Sequence, residues 1–285
     1  MKRLLFLAVI LASLMLSGCI QYGITVDVNK DGSGEIKEKM ELSAQLINIL
    51  AATSSSDEFE TLFEEEKYEG TGSKYGEDVT FKSFKKVENE GKTGFEVVYS
   101  FKSIDEVVIS EDIFEDTIET LSPKDSEEEV DTKENKIDFD KSYSFKFDKS
   151  LLKRKLTINN GFSKTLKKIK KEIESEKDDI GKAIEQVEAI DKDNSQQIAM
   201  AKMFLQGMKF YLHINVDGEI KKSNIDTKDN KIVLFEIDMS KLLEEEGLLK
   251  KLIQDDSKDI IDILSNDKSN SGIKFQRLEQ IEITF

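Results

Sequence analysis

Residues 20–42 constrain the fold more tightly than any other stretch. Ile20, Tyr22, Ile24, Val26 and Val28 place an apolar side chain at every second position, the period of a strand with one buried face. Asn29-Lys30-Asp31-Gly32-Ser33-Gly34 follows, dense in turn-forming residues. Ile36, Met40 and Leu42 then resume the pattern, which predicts a β-hairpin. The same alternation returns along the chain. It appears at Val79 and Phe81, at Phe95, Val97, Tyr99 and Phe101 beyond Gly91, and at Ile137, Phe139, Tyr143, Phe145 and Phe147. Further strands are predicted at Leu156 and Ile158, from Phe210 to Val216 into Asp217-Gly218, at 232–237, and at Ile281, Ile283 and Phe285.

Helical spacing interrupts these strands. Leu42, Leu46, Ile47 and Leu50 share a helical face, with Ser43 as N-cap. Phe59, Leu62 and Phe63 follow a capping box, Ser55-x-x-Glu58. Residues 110–121 are predicted helical up to Pro123, the only proline, and 124–135 form a polar, acidic loop. Apolar residues from Leu166 to Ile190, and again from Ile198 to Leu205, recur at steps of three and four, which predicts a helical hairpin near 163–208. Helices are also expected at 242–253 and 260–264. Strands and helices do not alternate as βαβ units. The predicted class is α+β: a largely antiparallel sheet built from hairpins with inserted amphipathic helices, forming one domain over 19–285.

The beginning of the chain reads as a leader. Lys2 and Arg3 form a basic start, residues 4–16 are almost wholly apolar, and Leu16-Ser17-Gly18-Cys19 follows. The apolar run is shorter than the roughly 18–20 residues that span a bilayer. Small residues leading directly into a cysteine resemble the bacterial lipobox, in which the thiol receives a diacylglycerol and cleavage precedes the cysteine. Residues 1–18 are therefore expected to be a lipoprotein signal peptide and Cys19 the lipidated residue, and two or more acyl chains hold a protein stably to a membrane. The expected place is the extracytoplasmic face of a cell membrane or outer membrane.

Charge and composition remove several function classes. The formal charge is -16, and losing Lys2 and Arg3 makes it two units more negative. Affinity for nucleic acid comes from neutralising phosphates, so no nucleic-acid partner is expected. Cys19 is the only cysteine, which leaves no internal disulfide and no cysteine metal site. His213 is the only histidine and falls opposite the apolar residues of its strand, so it is expected to face solvent or a helix. Gly-x-Ser-x-Gly, Walker and Gly-x-Gly-x-x-Gly patterns are absent. Carboxylates are too common for any pair to stand out as an acid/base couple. No catalytic residue, metal ligand or cofactor is assigned.

Two local patterns compete with structural explanations. Asp27-x-Asn29-x-Asp31-Gly32-Ser33-x-Glu35-x-x-Glu38 matches the EF-hand loop. It is read as a hairpin, because position eight is Gly34 and the entering segment alternates like a strand. Residues 149–171 carry nine basic residues and no acidic one. Lys153, Arg154, Lys155, Lys164, Lys167, Lys168, Lys170 and Lys171 form a candidate patch for an anionic surface, with pairing to the acidic segment 105–131 as the competing explanation.

Cys19-Ile20, followed by Ile24-Thr25-Val26-Asp27-Val28-Asn29-Lys30-Asp31-Gly32-Ser33-Gly34, resembles the opening of LppM-like bacterial lipoproteins. Residues 209–243, with Gly218, Ser223-Asn224 and Ile237-Asp238-Met239-Ser240, are similar to a second part of that family. The resemblance implies an α+β envelope domain that binds lipid or glycolipid, and it supplies no catalytic residue. The expected protein is a non-enzymatic, membrane-anchored lipoprotein binding a lipid or other envelope amphiphile. A scaffold module that binds another envelope protein through its helices is the alternative, and an enzyme working by carboxylates alone is the third reading.

Overall fold

The computed structural model describes residues 20–53, 61–89, 91–110, 113, 142–150, 153–163, 206–244 and 272–285. The predicted hairpin is present: β1 (Ile20–Val28) and β2 (Gly34–Ser43) pair antiparallel from Ile20↔Leu42 to Val28↔Gly34. β3 (Thr80–Asn89) and β4 (Lys92–Phe101) form a second hairpin around Gly91, and β4 pairs with β2. β8 (Lys209–Val216) lies on the other side of β1 and runs parallel to it. β10 (Lys231–Asp238) and the short β11 (Ile273–Phe275) complete a sheet of seven strands, ordered β11-β10-β8-β1-β2-β4-β3. A second sheet has the order β5-β6-β7-β12-β9. Its strands are β5 (Val108–Ser110), β6 (Ser142–Lys149), β7 (Arg154–Asn160), β9 (Lys222–Ser223) and β12 (Gln280–Thr284).

The α+β expectation is corrected by this arrangement. The described residues are mostly strand, in two sheets of seven and five, and their helical residues are few: α1 (Ala44–Thr53), α2 (Met239–Glu244), four 3-10 turns, Ile113 and residues 161–163. The physical reason lies in how the apolar faces are covered. Tyr22, Ile24, Val26, Ile36, Val97, Leu212 and Ile214 of the first sheet join Tyr143, Phe145, Leu156, Ile158, Ile281 and Ile283 of the second in one buried core. Sheet covers sheet, where the sequence pointed to helices covering a single sheet. Burying each such side chain contributes about 1.5–3 kcal/mol. Of the helix expected over 110–121, Ser110 ends β5 and Ile113 is helical. The helical hairpin expected near 163–208 falls, apart from its ends, outside the described residues. So do the helices at 260–264 and beyond Glu244, most of 110–121, the capping box at 55–58, and Ile137 and Phe139.

Local signals are realised where they are described. Ser43 accepts the amide of Leu46 at 3.2 Å and caps α1, as its position predicts. The turn after β1 closes through Asn29 N–H to the Ser33 carbonyl, 2.8 Å, and Asp31 accepts both the amide and the hydroxyl of Ser33. These bonds hold the Asp31 carboxyl below its ordinary value. The edge strand β3 carries Lys82, Lys85 and Lys86, exposed, and a bulge between Phe81 and Ser83, both of which oppose further strand pairing. No described helix is long and apolar enough to cross a membrane.

Candidate functional site

The inward face of β2 is interrupted by one charge. Ile36, Glu38, Met40 and Leu42 all point into the core, and Glu38 is only 3% exposed. A carboxylate so placed is costly unless each oxygen has partners. Tyr22 of β1 donates to Oε1 at 2.8 Å. Tyr75 donates to Oε2 at 2.9 Å, and the Lys74 ammonium donates to the same oxygen at 2.7 Å. Hydrogen bonds to a charged acceptor contribute roughly 1.5–3 kcal/mol each. Burial, reinforced by the Glu38 charge, pushes the Tyr75 hydroxyl well above its ordinary value, so it stays a donor. Tyr99 is raised for the same two reasons.

Lys74 and Tyr75 come from a strap of 3-10 turns that crosses the inner face of β2, β4 and β3. Its last turn, Thr71–Tyr75, lies between Gly70 and Gly76. Gly76 has φ +137, and a Cβ there would stand 2.1 Å from the Glu106 carbonyl, so only glycine lets the strap turn back. Tyr68 stacks on Phe84 at 5.4 Å between centroids and packs on Phe95 at 4.9 Å. Tyr75 packs on Tyr99 at 5.1 Å, and the Lys74 ammonium sits 5.0 Å over the Tyr75 ring. Thr71 Oγ1 and the Tyr99 hydroxyl are 2.9 Å apart. The strap is fastened by aromatic packing along its length and by Glu38 at its end.

A second polar cluster lies on the opposite face of the same sheet. Tyr211 of β8 lays its ring over Gly23 of β1, where a Cβ would stand 2.2 Å from the ring. His213 stacks on Tyr211 at 4.5 Å and is 6% exposed. Its Nε2 stands 3.5 Å from Glu236 Oε2 and makes no hydrogen bond among the described residues. Burial, with Lys231 and Lys209 nearby, lowers its pKa to about 4 despite Glu236. The imidazole is neutral at pH 7. Glu236 is held below its ordinary value: burial raises it, and Lys274, Lys209 and His213 outweigh that.

The sequence did not mark Glu38. The signal was present, since Glu38 is the polar member of the Ile36–Leu42 alternation. The glycine-flanked Thr71–Tyr75 segment was likewise unread. The EF-hand-like string does not converge. Asp27 pairs with Lys37 and Asn215, Glu35 with Lys82, and Glu38 lies on the other face. Among the described residues no group of three or more His, Cys, Asp or Glu could hold a metal. Of the predicted basic patch, Lys153 is exposed. Arg154 donates to the Lys30 carbonyl at 2.9 Å, and Lys155 pairs with Glu282 at 2.8 Å. Lys164, Lys167, Lys168, Lys170 and Lys171 lie outside the described residues, as does Cys19. His213, expected to face solvent or a helix, is buried on the polar face of its strand.

No protein-family model matches the chain, and no curated protein matches it. Among solved structures, the NMR structure of the folded domain of the Mycobacterium tuberculosis LppM protein aligns with 94% of this chain and 90% of its own. The identity is 7% and the TM-score 0.28. A superposition of that quality carries no inference about fold or function.

Proposed function

We propose that this chain is a non-enzymatic, extracytoplasmic lipoprotein, held to a membrane by lipid on Cys19, whose two-sheet domain binds an amphiphile. One observation carries the reading: the lipobox abuts the fold. Cys19 immediately precedes Ile20, the first residue of β1, and Ile20 is buried. A segment ending in Leu-Ser-Gly-Cys thus delivers the chain directly into a central strand, with no spacer between anchor and domain.

Glu38 supports a binding module over an enzyme. Both its oxygens are engaged by donors from the protein itself, which leaves it to fasten the strap and not to transfer a proton to a substrate.

Intact mass spectrometry of the full chain purified from membranes tests the anchor. The expected mass is that of residues 19–285 plus a diacylglyceryl group, with Cys19→Ala keeping residues 1–18. An unmodified cysteine in the membrane-derived chain would overturn the anchor. For the amphiphile, organic extraction of the same preparation should release a stoichiometric lipid beyond the covalent one. Its absence, together with no binding of added fluorescent fatty acid, would remove the ligand-binding half of the proposal.

A further inference from the structure

We infer that the Glu38 carboxylate is a recognition point for the primary ammonium group of a ligand, and that Lys74 occupies this place in cis until such a ligand displaces it. Under the amphiphile proposal the ligand also has a tail, but the head chemistry does not depend on one.

Three donors meet Glu38, and they are not equivalent. Tyr22 and Tyr75 are fully buried in the core, and their hydroxyls hold Oε1 and Oε2 as fixed parts of the site. Lys74 stands on an exposed turn, and its side chain is 31% exposed. Its ammonium reaches Oε2 from the solvent side, at 2.7 Å. Two rings complete the surround: the ammonium lies 5.0 Å from the centre of Tyr75 and 5.8 Å from that of Tyr99. A carboxylate backed by phenol donors and flanked by aromatic faces selects an alkylammonium over a neutral group. Removing the Lys74 ammonium needs only rotation of its side chain, because Tyr75 and Tyr68 keep the strap on the sheet. A buried carboxylate is costly without its cation, so Lys74 leaves only when another cation takes its place. A neutral or anionic head cannot make that exchange.

The neighbouring charges bear on what else the head carries. Lys67, exposed and without an ion pair among the described residues, is close enough to feel the charges of both Glu38 and Lys74. The strap's exposed acids, Glu65, Glu66 and Glu69 among them, form no ion pair with it. Once displaced, Lys74 stands beside it as a second free ammonium. Two lysines at the mouth of a site that takes a cation suit a zwitterionic head, with an ammonium a few bonds from a phosphate. Phosphoethanolamine has that form, either free or as a lipid headgroup.

The test adds three probes to the full chain: lysophosphatidylethanolamine, lysophosphatidylglycerol with the same tail, and free phosphoethanolamine, the lysolipids below their micelle-forming concentrations. Brief acetylation, mapped by mass spectrometry, reports Lys74 against the exposed Lys85 in the same sample. Lysophosphatidylethanolamine should raise acetylation of Lys74 severalfold, and lysophosphatidylglycerol should not. Lys74→Ala removes the competitor and should tighten binding of the ethanolamine head by about tenfold. Glu38→Gln keeps the shape, removes the charge and should weaken that binding by roughly tenfold to a hundredfold. If free phosphoethanolamine acts as the lysolipid does, the site stands, the ligand is a solute and the amphiphile proposal falls. If both lysolipids bind alike and Glu38→Gln changes neither, the ammonium site is overturned and the amphiphile proposal is left standing. Equal acetylation of Lys74 with and without the ethanolamine head overturns the site. That comparison uses the unaltered chain, so it decides even where a variant does not fold.

Discussion

Glu38 and His213 occupy opposite faces of one sheet, on strands either side of β1, and both are more than nine-tenths buried. Glu38 keeps its charge company, with two phenols and an ammonium within 2.9 Å. His213 has a ring against Tyr211 and a carboxylate at 3.5 Å, and it sheds its charge. Equal burial is met in different ways. Each Glu38 oxygen has a donor from the protein, whereas the His213 ring has an aromatic face and a carboxylate at 3.5 Å.

The largest test of this contrast is Glu38→Ala. It leaves Lys74 and two buried hydroxyls without their acceptor and should cost about 3–5 kcal/mol, measured by urea unfolding at pH 7. A loss below about 1 kcal/mol would break the contrast. Next is pH dependence. An unfolded histidine titrates near 6.5 and folded His213 near 4. Its contribution is therefore complete above pH 6.5, where both forms are neutral. Stability falls as pH drops from 6.5 to 4, because the unfolded state takes the proton first, by at most about 3 kcal/mol. His213→Gln should flatten that part of the profile, seen as a smaller shift in urea midpoint between pH 7.5 and 5; an unchanged slope would assign it elsewhere. Tyr75→Phe removes one bond to the carboxylate and should cost about 2 kcal/mol. It should also raise amide exchange across the strap more than across β8, by hydrogen-exchange mass spectrometry. The smallest effect is Lys155→Ala. Its pair with Glu282 is exposed on both sides, and the change in midpoint should correspond to under about 1 kcal/mol. A larger loss would mean that alignment outweighs exposure here too.

Much of the fold was legible locally. Residues 20–43, the Gly91 hairpin, the Phe210–Val216 alternation and its partner at 232–237 all form the expected strands. The Ser43 cap is in place. What misled was partnership. Ile281 and Ile283 alternate as cleanly as Ile24 and Val26, yet they belong to the other sheet. Nor does the pattern record that β8, far along the chain, joins β1 in parallel.

The candidate site divides the same way. That Glu38 points inward follows from its place between Ile36 and Met40, because side chains alternate across a strand. That it is tolerated there follows from Lys74 and Tyr75, more than thirty residues on, which only the closing of the strap brings to it. The sequence by itself determined the strand faces, the caps, the turns and the charge balance, since each depends on neighbours within a few residues. The tertiary structure alone decided which strands share a sheet, which apolar face covers which, and which buried charge finds donors. Those depend on contacts between distant residues, and a period of two is the same in either sheet.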